Sequence, residues 1–336
     1  MMQMTTDELY NRIYGAWLGR AAGCVLGKPV EKSWSKSKVA DYLKLCSSYP
    51  LADYIPRLSP ASPDFELNSD AGRTSRGEIQ GAPPDDDTDY TLLALHILET
   101  YGLDFKTSDV AKEWLNHLPY ARTWTAERAA YRNLILKIPV NKAALLFNPG
   151  REFIGARIRV DAYGFVTPGA PHIAAQLAYR DACLSHIRDG VYSAMFMAAM
   201  IARAFESSDP EDIIRTGLSE IPASCRQAVA IRTVLDISKK EDDWEAAYEH
   251  LIPMVNKYDP VHAINNTALL VLALLYGQGD FQKSLLVCNT CGWDTDCNSG
   301  NLGCLMGIRN GLAGFEGAVD WRGPVADRMY LPTMNG

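Results

Sequence analysis

Residues 15–31 read GAWLGRAAGCVLGKPVE, and within them Gly15, Gly19, Gly23 and Gly27 recur at every fourth position. Residues four apart share one face of an α-helix. An interior glycine costs a helix roughly 0.5–1 kcal/mol, so a whole ridge of them needs a compensating gain. Close approach of another helix backbone supplies one. The same spacing returns at Gly303, Gly307 and Gly311 near the other end of the chain. The two ridges predict that the first and last long helices pack on each other or on a common neighbour in the core. If they run antiparallel, the end of the first meets the start of the last, and Glu31 comes alongside Asp294 and Asp296.

Outward from this stretch the pattern is helical almost throughout. Thr5 to Glu8 makes a capping box ahead of an apolar run to Leu26. Helical periodicity recurs at about 89–101, 107–117, 124–137, 140–148, 172–187, 190–206, 210–219, 224–238, 241–250, 262–276, 280–291 and 297–313. Residues 49–84 are rich in Pro, Ser, Asp and Gly and read as a long loop of the kind that shapes a site or is disordered. Residues 157–171 form a second irregular stretch, with a short extended piece at 157–161. No internal repeat or low-complexity linker interrupts the chain. The expectation is one all-α, multi-helix domain over 1–336.

The chain has 336 residues, 47% apolar and 22% charged, with net charge −7. That is an ordinary globular composition with ample length for a core. The negative charge argues against a nucleic-acid duplex as partner. No apolar run is long enough to span a bilayer. The N-terminus lacks the basic and apolar regions of a signal peptide, so the expected location is cytoplasmic. Eight scattered cysteines fit a reducing compartment. Cys288-x-x-Cys291 with Cys297 and Cys304 has poor zinc spacing, because the last two are not a second pair and Cys304 falls inside a helix pattern. Small buried side chains are the simpler reading.

Two acidic knots carry the chemistry. One is Asp85-Asp86-Asp87-Thr88-Asp89, ahead of a helix expected to begin near Thr88. The other is Asp294-Thr295-Asp296-Cys297, entered through Gly292-Trp293. One or two acids at a helix start serve as caps and suit the macrodipole; four in five positions exceed that need. Unit charges roughly 4 Å apart repel by about 4 kcal/mol at an effective dielectric near 20. A fold that gathers these carboxylates needs a cation or must protonate some of them. Oxygen donors without a His partner point to Mg²⁺, Mn²⁺ or Ca²⁺.

With these motifs in place, the chain resembles the ADP-ribosylglycohydrolase family over essentially its whole length. The glycine helix ending at Glu31, the Asp85-Asp86-Asp87-Thr88 knot and the Gly292-to-Cys297 motif are similar to three family motifs, in the family's order. Ser185-His186 falls where many members carry Thr-His. The resemblance implies an all-helical fold with a binuclear Mg²⁺ cleft, Mn²⁺ being an alternative, which grips ribose hydroxyls while the anomeric bond is hydrolysed. It implies Asp86, Asp87, Asp294 and Asp296 as metal ligands, with Asp85 and Cys297 where the family usually has ligand threonines. Cys24 stands where many members have Asp. Glu31 matches the acidic residue near the scissile bond and is the expected general base or proton shuttle, with Asp86 sharing the catalytic role.

Asp161, Tyr163 and Gly164 in the second irregular stretch are expected to contact substrate, the aromatic stacking on a base or sugar face. His262, ahead of Asn265 and Asn266, is a further candidate contact. His186 reads as a core hydrogen-bonder, and Met195, Phe196, Met197 and Met200 as core. The expected partner is an ADP-ribosylated or ribosylated protein or small molecule, met by a monomer. Two other readings stand beside this one. Asp85-Asp86-x-x-Asp89 also satisfies the DDxxD pattern of isoprenoid-type enzymes that bind Mg²⁺ and diphosphate, and the family includes non-catalytic, crystallin-like members.

Overall fold

A computed structural model describes residues 4–331, and among them the regular structure is helical, with isolated bridges and no strand. In chain order the helices are α1 Thr6–Gly27, α2 Lys36–Leu45, α3 Ala71–Thr74, α4 Asp86–Tyr101, α5 Thr107–His117, α6 Thr125–Ile135, α7 Val140–Ala143 and α8 Asp161–Phe165. They continue as α9 Pro171–Ala182, α10 Asp189–Ala204, α11 Pro210–Ser219, α12 Arg226–Ser238, α13 Trp244–Val255, α14 Ala263–Tyr276, α15 Phe281–Thr290 and α16 Thr295–Asn310. Thr5 caps α1, its hydroxyl accepting the Glu8 amide at 3.2 Å. The core is one contiguous apolar cluster in which α10 and α14 are buried on almost every side.

The glycine ridges meet as an antiparallel pair. A Cβ placed on Gly19 would stand 2.1 Å from the Gly303 carbonyl oxygen, and one on Gly303 2.1 Å from that of Gly19. Gly15 lies against Gly307, Gly23 against Ser299, and Gly27 against Thr295 and Asp296. The two backbones touch along four turns, closer than any side chain permits. This contact carries the end of α1 to the start of α16, and so sets Glu31 beside Asp294 and Asp296.

The loop at 49–84 is regular only over α3, as its composition predicts. Two stretches differ from expectation, 140–148 and 157–171. The expected helix at 140–148 stops at Ala143, and the chain turns through Phe147 at φ +50° ahead of Asn148-Pro149; a residue before proline resists the helical region. Residues 32–48 contain α2, capped by Ser35. Residues 157–171 are not an extended or open loop, because Asp161–Phe165 forms α8 inside the core.

Candidate functional site

Helix α4 begins two residues earlier than its sequence pattern suggests, because Asp85 is the N-cap. Its Oδ1 accepts the Asp87 amide at 3.0 Å, which leaves Asp86 and Asp87 in the first turn. At α16 the chain enters through Gly292 at φ +82° and Trp293 at φ +63°. A Cβ on Gly292 would lie 2.3 Å from the Trp34 carbonyl oxygen, so glycine is required there. The Trp293 amide donates to that same oxygen at 2.6 Å. This left-handed pair, rare for tryptophan, aims Asp294 and Asp296 back toward α4. Asn266 of α14 fastens the turn from below: its Oδ1 accepts the Asp294 amide at 3.3 Å and Asn298 Nδ2 at 2.8 Å.

The two knots therefore converge. Ligand atoms of Asp87, Asp296 and Cys297 lie within 4.8 Å of one another, and so do those of Glu31, Asp294 and Asp296. Asp296 belongs to both groups. Lys28 enters among them, its Nζ 2.8 Å from Asp85 Oδ2, 2.8 Å from Asp296 Oδ2 and 3.1 Å from Glu31 Oε2. Asn68, from the long loop, donates to Glu31 Oε2 at 2.8 Å.

A cavity of about 370 Å³ opens over this cluster, within the usual range for small-molecule sites. Lys28, Glu31, Asp86, Asp87, Asp294 and Asp296 form its floor, together with Cys297. Loop residues Asn68 to Asp70 form one side, and Trp124, Glu127 and Phe153 the other. The long loop thus shapes the site, as expected from its length.

Electrostatics identify the carboxylates that lack a counter-charge. Burial, and then repulsion from Asp85, pushes Asp86 well above the ordinary carboxylate range. Burial and Asp296 do the same for Asp294 and for Glu31, with Lys28 opposing the shift at Glu31. Asp87 is pushed up to about 7 by burial, against the pull of Arg20, which donates to its Oδ1 at 2.8 Å. Asp85 runs the other way: Lys28 holds it below the usual range despite its burial. Crowded hard oxygens whose charges raise one another's proton affinity suit a divalent cation such as Mg²⁺ or Mn²⁺. Cys297 is a poorer donor. Its thiol gives its hydrogen bond to Asp87 Oδ2 at 3.2 Å, and burial and Asp294 keep it protonated.

The other sequence candidates lie away from the cavity. Asp161 is fully buried, accepts Asn301 Nδ2 at 2.8 Å and pairs with Arg20 at 3.4 Å. Arg20 in turn holds Asp87, so Asp161 backs the cluster from within the core. Tyr163 has no exposed surface, donates to Asp181 Oδ2 at 2.7 Å and stacks on Phe105 with centroids 5.4 Å apart. Gly164 faces Ile201 of α10. The expectation that these three form a specificity element is corrected: their stretch is core, because α8 is covered by α9 and α10. His262 caps α14 through its Nδ1, which accepts the Ile264 amide at 3.2 Å, and its ring backs Phe153 with centroids 6.3 Å apart. It supports the cavity wall without lining it. His186 is buried against Ser185 Oγ at 2.8 Å, as its core reading has it. The Asp89 carboxylate is buried, has no hydrogen-bond partner and does not line the cavity, so the third acid of the DDxxD pattern is missing from the site. The eight cysteines are free.

Sequence reading did not find Lys28, Arg20, Asn68, Trp124 or Glu127. Lys28 and Arg20 lie in the glycine helix stretch, where a cation inside an apolar run was an available signal. Asn68 and Trp124 carried none, since they reach the cavity only through tertiary packing.

A family model described as ADP-ribosylglycohydrolase matches residues 5–335. A solved structure described as an ADP-ribosylglycohydrolase-related protein complex shares the fold at TM-score 0.59 and 21% identity, over 94% of this chain and 92% of that one. No curated protein matches the chain at a significant level. The chain belongs to the ADP-ribosylglycohydrolase family, and this membership supports glycohydrolase activity in general. Among the described residues, no helix is long and apolar enough to cross a membrane.

Proposed function

We propose that this member of the ADP-ribosylglycohydrolase family hydrolyses the bond between a ribose anomeric carbon and a nitrogen or oxygen leaving group, in an ADP-ribosyl or related ribosyl compound. The observation that carries the reading is the convergence of two acidic knots, about two hundred residues apart in sequence, on one cavity with Glu31 at its floor. Asp86, Asp87, Asp294 and Asp296 would hold Mg²⁺, with Mn²⁺ as an alternative and with Asp85 and Cys297 at the edges of the set. When bound, the ion supplies charge stabilisation and alignment of the ribose diol.

The chain's own residues do the rest. Glu31 is held by Lys28 and Asn68, and as general base it would take a proton from the attacking water. The carboxylates around it favour the oxocarbenium-like charge that develops on the sugar. Trp124, about half exposed, and Phe153 offer flat apolar walls for a base or sugar face. The substrate class is an ADP-ribosylated or ribosylated protein or small molecule, met in a cytoplasmic setting by a monomeric chain. Asp86 and Glu31 would act at the reacting atoms.

The test is a panel of ADP-ribosylated proteins, ADP-ribose derivatives and nucleosides, assayed with and without EDTA. Release of a ribosyl product that EDTA stops and Mg²⁺ restores is the expected result. Turnover indifferent to EDTA, or unchanged in Asp86→Asn, would reject the metal-assisted reading.

A further inference from the structure

The position of Lys28 bears on how many cations this centre holds. Its side chain is 11% exposed, and its three short contacts go to Asp85, Asp296 and Glu31. An ammonium has three donors, and Lys28 has three carboxylates within ion-pair distance, Asp296 hydrogen-bonded among them. Its partners are engaged as well. Asp85 gives one oxygen to the helix cap and the other to Lys28. Asp296 gives Oδ1 to the Cys297 amide and Oδ2 to Lys28. These are the hard oxygens a second divalent ion would need, arranged around a charge that is already there. Asp86 and Asp294, by contrast, make no contact with Lys28 and face the cavity. The two anomalies of the site, a lysine among ligands and an aspartate at position 85, offset each other in charge and touch at 2.8 Å.

We propose that Lys28 Nζ is a built-in monovalent cation standing where a two-ion centre would place one of its metals, so that the chain binds a single divalent ion on the Asp86, Asp87 and Asp294 side. This rests on the metal-centre reading above. The test is Mn²⁺ bound per chain after dialysis, with its electron paramagnetic resonance spectrum, in the wild type and in Lys28→Met/Asp85→Thr. That double change removes the pair without altering net charge. The wild type is expected to hold one Mn²⁺ with an uncoupled six-line spectrum, and the variant two with exchange coupling. Lys28→Met alone, checked for folding by circular dichroism, guards against a misfolded double variant. Two exchange-coupled ions in the wild type would overturn the proposal and leave the metal centre standing. One ion in both proteins would also overturn it. No bound ion in either would remove the metal centre together with it.

A second site rests on separate residues. His96 of α4 and His117 of α5 both place Nε2 near one oxygen of Glu113, at 3.0 and 3.1 Å, His96 hydrogen-bonded to it. Bonds near 2.0–2.2 Å in a tetrahedral set put neighbouring donors about 3.3 Å apart, close to this spacing. The second Glu113 oxygen accepts the Tyr101 hydroxyl at 2.5 Å, the kind of outer contact that fixes a ligand carboxylate. Both imidazoles keep partial solvent access, at 25% and 36%, which leaves the remaining positions open.

The geometry points to a transition-metal site for Zn²⁺ or Cu²⁺ on the α4–α5 surface, with two imidazoles and one carboxylate as ligands. Cu²⁺ titration followed by paramagnetic resonance tests it, because no imidazole lines the carboxylate cavity. Nitrogen hyperfine structure from two imidazoles is expected at one equivalent. His96→Ala or His117→Ala should remove one set of couplings and weaken binding by more than about tenfold. A spectrum without nitrogen coupling, or one that both variants leave unchanged, would reduce the cluster to an ion pair and overturn the proposal.

Discussion

Replacing Gly23 by alanine tests the backbone contact that builds the site. The new Cβ would lie 2.1 Å from the Ser299 carbonyl oxygen and 2.5 Å from its carbon, against 3.4 Å for ordinary contact, so α1 and α16 would have to part by roughly 1.3 Å. In an isolated helix the same change is favourable by about 1 kcal/mol. Overpacking against rigid backbone costs about 1–3 kcal/mol and occasionally more. A shift of this size falls at the upper end, so a net loss of about 2 kcal/mol is expected. Urea unfolding measures it, and a chain of this length should lose several degrees in Tm. The separation also withdraws the start of α16, with Asp294, from Asp87 and Glu31, so Mn²⁺ affinity should fall in the same variant. Gly72→Ala is the control, since its Cβ would meet only Arg57 Nη1, at 3.7 Å. A Gly23→Ala protein as stable as the wild type, binding Mn²⁺ equally well, would refute the idea that glycine contact sets the two knots together.

Tyr163→Phe should lower stability by about 1 kcal/mol through the lost bond to Asp181 and leave KM unchanged; a raised KM would return Tyr163 to the substrate site. Trp124→Ala should do the reverse, raising KM with little change in Tm, as steady-state kinetics beside a melting curve would show. Glu31→Gln should reduce kcat far more than substrate affinity, by about 10²-fold or more, and an effect confined to affinity would count against its role as base. Without metal, stability should fall as pH rises. Asp86, Asp294 and Glu31 are raised in the folded protein, and Asp87 and Glu127 to about 7. Groups with raised folded values bind protons more tightly than in the unfolded chain. Their contribution is present below about pH 4 and is lost on the way up through about pH 7, with His186 and His262, both depressed by burial, offsetting part of it at about pH 6–7. Melting the EDTA-treated protein from about pH 5 to about pH 8 should therefore show a declining Tm, and added Mg²⁺ should stabilise more at the upper end; a flat or rising profile would contradict these assignments.

The helical class, the pairing of the first and last long helices, and the approach of Glu31 to the second acidic knot were all readable from the residues. Each depends on a local or periodic signal: fourth-position glycines declare a close backbone contact, and crowded carboxylates declare an unmet charge wherever they are placed. The family motifs added which acids go together. What no local signal carried was which face of each remaining element would be covered. Tyr163 and Asp161 look like loop residues in sequence, yet α9 and α10 close over them and turn them into core and counter-ion. Lys28 and Arg20 look like isolated cations in an apolar helix until folding presses them against Asp85, Asp296 and Asp87. Asn68 and Trp124 become cavity walls only because the long loop and α6 fold over the same opening. A side chain's exposure and its counter-charge are properties of its neighbours in space, and for these residues the tertiary structure alone decides who those neighbours are.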